Sequence, residues 1–172
     1  IFLGNMALVF MRQKRFTESL RTFEKASSIN IEIGNKRSLG INYGNMGEVW
    51  FHMGEYVKAE QMFIQAIPLC ERYVPPAAGS FMGLLAQMFA EQDRFDEALR
   101  YLQNAEPLLQ VEPNELGKFY CRKSMVLLLN KQYWDVDTSL RDAIKLQHRL
   151  HVSDESDLAL LIDTVTTAMH DS

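Results

Sequence analysis

Histidine and cysteine are the residue types in this sequence whose spacing could support catalysis or metal binding. His148 and His151 are three residues apart, so on a helix they would share one face. A zinc site needs further imidazole, thiolate or carboxylate ligands at matching spacing, and none accompanies this pair. We therefore interpret both histidines as solvent-exposed residues near the C-terminus of a helix, and we predict no metal site.

The cysteines and glycines likewise lack the patterns that support catalysis. Cys70 and Cys121 have no histidine partner in an arrangement that would activate a thiol, which predicts buried, unreactive side chains. Gly40, Gly44 and Gly47 fall within a predicted helix rather than after a strand, so they do not form a phosphate-binding loop. The sequence therefore predicts no catalytic residue, no cofactor and no enzyme activity.

Composition limits the class of protein. The chain has 172 residues, of which 47% are hydrophobic and 23% charged, as in ordinary globular proteins. Its net charge of −4 disfavours nucleic-acid binding. The uncharged segment 73–90 contains two prolines and leaves too few residues for a membrane span, which needs about 20. We expect a cytoplasmic protein with neither nucleic acid nor membrane as a partner, and we interpret a chain that begins at Ile1 without a leader as a fragment or a processed form.

An internal repeat is the strongest signal in the sequence. The segment 4–7 recurs at 44–47, and successive units are offset by 40, 39 and 38 residues. Each unit has a small residue, a large apolar residue three positions later, and an aromatic residue nine positions after the small one. The small residues are Ala7, Gly47, Ala86 and Ser124, the large ones are Phe10, Trp50, Phe89 and Leu127, and the aromatic ones are Phe16, Tyr56, Phe95 and Tyr133. Ala26, Ala66, Ala105 and Ala143 mark a further shared position. Such a repeat predicts an array of similar structural units.

Apolar residues three and four positions apart predict two antiparallel helices in each unit. The first helices should occupy residues 1–13, 37–53, 79–92 and 115–130, and the second helices residues 16–30, 55–72, 95–109 and 133–149. Ser153 is the predicted N-cap of a ninth helix at 154–170 that covers the last unit, and a truncated fifth unit is the alternative. Lys123 occupies an otherwise apolar position, so we expect an irregular or differently capped first helix in the fourth unit.

These residues resemble the tetratricopeptide repeat (TPR). Its pattern of small, aromatic and alanine positions is matched by Gly47, Trp50, Tyr56, Ala59, Phe63 and Ala66. The period exceeds the usual 34 or so residues. It is similar to the period of the TPR subclass that includes LGN/Pins adaptors, kinesin light chains and bacterial TPR regulators. The resemblance implies an all-α, right-handed superhelix (a TPR solenoid) of four helix hairpins, at about 1–36, 37–77, 78–114 and 115–152, plus a capping helix.

The resemblance also implies that the first helices line a concave groove, which binds a peptide or helix of a protein partner. Carried over by position, the groove residues are Asn5, Leu8, Met11, Arg12, Gly44, Asn45, Glu48, Phe51, His52, Gly83, Gln87, Glu91, Lys118 and Arg122. The glycines at the equivalent positions 4, 44 and 83 either allow close packing between adjacent repeats or leave space for a ligand. We expect a non-catalytic protein-interaction module. The alternatives are a regulatory or sensor segment of a larger signalling or transcription-control protein, and self-association through Trp134 or the first repeat.

Overall fold

A computed structural model describes residues 2–171, and this part of the chain forms nine α-helices and no strand. The helices are α1 (Phe2–Arg12), α2 (Phe16–Glu32), α3 (Lys36–His52), α4 (Tyr56–Tyr73), α5 (Pro75–Ala90), α6 (Phe95–Ala105), α7 (Pro113–Leu129), α8 (Tyr133–Leu150) and α9 (Asp157–His170). A short 3₁₀ helix, Glu106–Leu109, follows α6. The predicted all-α fold of four helix pairs and a closing helix is confirmed.

The chain divides into two compact units, Ile1–Phe81 and Met82–Ser172. In the first unit, α2 packs against both α1 and α3, and α3 packs against α4. In the second unit, α7 contacts α6, α8 and α9. The first unit has a core cluster of Ala7, Leu20, Phe23, Met46 and Val49, and the second has one of Cys121, Leu140, Ala143, Leu158 and Val165. No helix in the described range is both long enough and apolar enough to span a membrane.

Each first helix ends in the same turn, which contains a residue with left-handed backbone geometry. These residues are Lys14, Gly54, Asp93 and Lys131, with φ of 58°, 74°, 59° and 57°. In the first turn, the amide of Arg15 donates to the carbonyl of Phe10 at 2.9 Å, and that of Lys14 to Met11 at 2.9 Å. The other three turns repeat both hydrogen bonds at equivalent positions. This Schellman arrangement satisfies the last helical carbonyls and turns the chain back for the second helix.

A cation packs over the large aromatic residue in the first and third turns. The guanidinium of Arg15 lies 4.4 Å from the ring centre of Phe10, and that of Arg94 lies 3.9 Å from Phe89. Each arginine also bonds a glutamate three residues later, with Arg94 Nε 2.7 Å from Glu97 Oε1. This hydrogen bond lowers the pKa of Glu97. The cation and the carboxylate thereby hold the start of the second helix on the end of the first.

The second turn makes the same contact with the two charges exchanged. Here the acid, Glu55, follows the left-handed residue, and the cation, Lys58, comes three positions later. The ammonium of Lys58 lies 4.5 Å from the ring centre of Trp50 and 3.1 Å from Glu55 Oε2. We call this cation–ring–carboxylate contact the turn clamp. The cation precedes the acid in the first and third turns and follows it in the second.

The glycines at positions 4, 44 and 83 face residues of the following first helix. A methyl group at Gly44 would overlap the ring of Phe81, and one at Gly83 would lie 3.3 Å from the ring of Phe119. At Gly4 the facing atom is Asn42 Oδ1, 3.5 Å from such a methyl group. Tight packing therefore explains the glycine at Gly44, and the interpretation of that position as ligand room is wrong.

Two helix starts differ from the prediction by more than two residues. Helix α5 begins at Pro75, four residues early, because a proline in the first helical turn loses no intrahelical hydrogen bond. Helix α9 begins at Asp157 rather than residue 154. Its N-cap is Ser156, whose hydroxyl accepts from the amide of Ala159 at 3.2 Å, so the assignment of Ser153 as the cap was wrong.

Prolines at equivalent positions act differently in the second and third repeats. Pro68 lies inside the continuous helix α4, whereas α6 ends at Ala105 and Pro107 belongs to the 3₁₀ helix. Helix α7 is regular throughout, so the irregularity expected at Lys123 is absent. The charge of Lys123 is instead accommodated by Glu106, whose Oε2 lies 2.9 Å from the ammonium.

The two glycines of the recurring Gly-Asn-Met segment should respond in opposite ways to alanine. Gly44→Ala should lower the free energy of unfolding by about 1–3 kcal/mol, because the buried ring of Phe81 must move. Gly4→Ala should be neutral or stabilising by up to about 1 kcal/mol, since alanine favours the helix and its methyl group makes only an ordinary contact, 3.5 Å from Asn42 Oδ1. Urea unfolding of both variants tests this, and equal stability of the two would contradict it.

Candidate functional site

The predicted groove residues of the first unit lie on α1 and α3, the first helices of two hairpins that touch each other. On α1, Asn5 and Arg12 are exposed. Leu8 and Met11 are half-buried because they pack against the core cluster of this unit. Helix α1 therefore offers one amide and one guanidinium beside a partly covered apolar strip.

On α3, an acid and an imidazole lie beside aromatic rings. His52 Nε2 is 3.8 Å from Glu48 Oε1, and 49% of the His52 side chain is exposed. The rings of Phe16 and Phe51 stack on His52 with centroid distances of 6.2 and 6.0 Å. Phe16 is the aromatic position of the first repeat, and no pattern in the sequence indicates that its ring reaches His52. The arrangement can accept hydrogen bonds from a cationic group and contact an apolar one.

Asn45, Gly44 and Gly83 are buried, so the surface they were predicted to form is reduced. Asn45 retains 9% exposure, and the two glycines lie beneath aromatic rings of the next first helix. Asn42, which was not predicted, is also buried at 5% exposure and leaves its amide nitrogen without a hydrogen-bond partner. Its repeat position carries Phe81 in the next hairpin, and an amide there cannot fill the same apolar contact.

In the second unit, two predicted groove residues bind each other, and a third binds residues outside the predicted groove. The amide of Gln87 donates to Glu91 Oε1 at 3.2 Å. The ammonium of Lys118 lies 2.8 Å from Glu115 and 3.7 Å from Asp157 at the start of α9, and only 15% of its side chain is exposed. Lys118 therefore bridges its own helix and the start of the closing helix, and its predicted role as a partner contact stays a prediction.

Arg122 is half-buried on α7, and its aliphatic stem lies close to Gly83. A methyl group at that glycine would be 3.7 Å from Arg122 Cδ. The stem thus packs on the helix beside it. Of the five groove residues predicted in this unit, Gln87, Glu91 and Arg122 keep accessible side-chain surface.

Burial suppresses ionisation of both cysteines. Desolvation raises the pKa of Cys70 to about 11 and that of Cys121 to about 12. The predicted burial of the thiols is confirmed, with 1% and 0% of the side chains exposed. His148 and His151 are exposed as predicted, and His151 adopts a left-handed conformation that ends α8. Across residues 2–171, no three His, Cys, Asp or Glu side chains are placed to hold a metal ion.

The raised pKa values predict a stability loss at alkaline pH. A thiol that holds its proton more tightly when folded stabilises the native state fully below pH 9.0, its ordinary pKa. That contribution should decline as the pH rises towards 11–12. Urea unfolding between pH 8 and 11 should show this slope, and it should be shallower in a variant with Cys70→Ala and Cys121→Ala. Identical slopes for the two proteins would contradict the prediction.

Comparison with solved structures places the fold among known repeat proteins. The crystal structure of BtubC (BKLC) from P. vanneervenii matches with a TM-score of 0.71 at 14% identity. The match covers 90% of this chain and 65% of BtubC, so the chain spans less than two thirds of that protein. Nearly identical TPR-like repeats from Podosopora anserina, named for a kinesin light chain, match with TM-scores of 0.67 and 0.66 at 12% identity. These matches cover 98% of this chain and 85% and 86% of the repeats.

At these identities, the structural matches concern the fold alone. A search of curated proteins found no match to the sequence. The family model described as tetratricopeptide repeat, in contrast, matches residues 1–72 and again residues 38–110, which together make up more than half of the chain. The chain therefore belongs to the tetratricopeptide repeat family.

Proposed function

We propose that the face formed by α1 and α3 binds a peptide or a helix of a protein partner. Tetratricopeptide repeats generally mediate protein–protein interactions, and members of the family are typically non-catalytic scaffolds. The observation that carries the proposal is the placement of Asn5 and Glu48 on adjacent first helices with accessible polar side chains. These groups can be reached by a partner without unfolding either hairpin.

The side chains of this face favour a segment that carries both apolar and cationic groups. The amide of Asn5 can donate to and accept from a peptide backbone. Leu8 and Met11 offer a partly exposed apolar strip, and Glu48 presents a carboxylate for a lysine or arginine. Several modest contacts of this kind, made by preformed helices, would together provide the affinity.

Selection from a library of random peptides displayed on phage tests this proposal with the full 172-residue chain as bait. We expect selected peptides to lose at least about tenfold in affinity for the variant with Asn5→Ala and Glu48→Ala, which corresponds to about 1.4 kcal/mol. Fluorescence polarisation of the labelled peptides measures the loss.

A matched control variant carries Glu24→Ala and Lys25→Ala, which change exposed residues on α2. This variant should bind the selected peptides within about twofold of the wild-type affinity. Thermal unfolding should confirm that both variants keep the wild-type fold. Peptides that bind all three proteins equally would show that the α1–α3 face is not the binding surface.

We also propose Trp134 as a contact for a second copy of the chain. Its side chain is 91% exposed, and Tyr133 beside it is 53% exposed. Large exposed aromatic side chains are common anchors of protein interfaces. Sedimentation velocity at increasing concentration should show self-association of the wild type and a weaker tendency in Trp134→Ser. A wild-type protein that stays monomeric at the highest concentration would contradict this assignment.

A further inference from the structure

A cavity of about 450 Å³ lies in the second unit, beside α6, the 3₁₀ helix and α7. Its apolar wall is formed by Leu99, Leu102 and Leu127, and Leu102 and Leu127 are almost fully buried. Polar groups of Glu106 and Lys123 also line it. The volume is in the range of small-molecule sites, which are typically apolar with a few placed polar groups.

The cavity lies where the fourth repeat departs from the other three. The position of Leu127 carries Phe10, Trp50 and Phe89 in the earlier repeats. A leucine at this position fills less volume than an aromatic ring. Helix α6 is also short, with 11 residues against 17 in α2 and 18 in α4 and α8, because the chain changes to a 3₁₀ helix at Glu106. Both departures occur at the edge of the cavity.

The charged pair at the cavity occupies positions that are mostly apolar in the other repeats. Lys123 takes the position of Met6, Met46 and Leu85, and Glu106 takes that of Ser27, Ile67 and Ile144. About a third of each side chain is exposed, 30% for Lys123 and 33% for Glu106, and both residues line the cavity. An ion pair that is partly exposed on the wall of a cavity is available to a ligand.

The hydrogen bonds of this pair leave the ammonium with spare capacity. Glu106 Oε2 accepts from Lys123 at 2.9 Å, and Oε1 accepts from the hydroxyl of Tyr120 at 3.1 Å. Burial raises the pKa of Tyr120 to about 12, so its hydroxyl remains a donor at neutral pH. Both carboxylate oxygens are thus engaged. An ammonium has three N–H donors, of which the contact with Glu106 uses one.

We propose that this cavity binds a small apolar carboxylate. The aliphatic part of the ligand lies against Leu99, Leu102 and Leu127, and its carboxylate accepts hydrogen bonds from Lys123. A cationic ligand is disfavoured because both oxygens of Glu106 already accept hydrogen bonds, whereas the ammonium of Lys123 keeps N–H donors for a carboxylate. This site is separate from the α1–α3 face, so the two proposals stand or fall independently.

Calorimetric titration of the 172-residue chain with three probes of equal chain length tests the proposal. The probes are octanoate, octan-1-ol and octylammonium. We expect octanoate to bind at least about tenfold more tightly than either of the others. No measurable octanoate binding, or equal or tighter binding of octylammonium, would overturn the proposal.

Two substitutions that restore the residues of other repeats test the location. Leu127→Phe should fill the cavity and lower the affinity for octanoate by at least about tenfold. Lys123→Met should lower the affinity for octanoate to that for octan-1-ol. The affinity for octan-1-ol should stay unchanged. Lys145→Met, which removes an exposed lysine on α8, is the matched control and should bind octanoate as the wild type does.

The variants are chosen so that folding does not limit the test. Phenylalanine and methionine are the natural residues at these positions in other repeats, and thermal unfolding checks each variant. If Lys123→Met does not fold, the affinities of the three probes for Leu127→Phe and for the wild type still test where octanoate binds. Wild-type octanoate affinity in a folded Leu127→Phe variant would overturn the proposal.

Discussion

The turn after each first helix is the constraint on which the rest of the structure depends. A left-handed residue at one fixed position reverses the chain, and two backbone hydrogen bonds close the helix before it. Glycine occupies this position only at Gly54 of the four turns, so Lys14, Asp93 and Lys131 adopt a conformation that costs about 1–2 kcal/mol without glycine. The turn clamp offsets part of this cost at the first and third turns.

Most of the fold could be predicted from the sequence because its contacts recur at nearly constant spacing. The spacing of the small, large apolar and aromatic positions is enough to predict the helix pairs. The predicted helix boundaries were wrong where one residue type can occur in several kinds of local structure. Proline begins a helix at Pro75, is tolerated inside α4 at Pro68, and accompanies a 3₁₀ helix at Pro107. Neighbouring packing decides among these outcomes, and a position in a repeat does not encode that packing.

The candidate surface was less predictable because repeat position specifies a helix face but not what covers it. Gly44 faces the expected direction, yet Phe81 of the next first helix fills the space above it. Lys118 is likewise at a groove position and is held by Asp157, which lies outside the repeat pattern. The departures from the pattern were visible in the sequence at Lys123 and Leu127. That they border one cavity became clear only from the packing of α6 and α7.

The turn clamp also bears on how the chain folds. Each clamp joins residues within nine positions of one another, as from Phe10 to Glu18 or from Trp50 to Lys58. Local contacts of this kind require little loop-closure entropy and favour rapid folding. In repeat arrays, folding can begin in any unit and spread to its neighbours. The turns that carry a clamp are therefore natural starting points, and the fourth turn, where Leu127 offers no ring, is expected to become ordered after them.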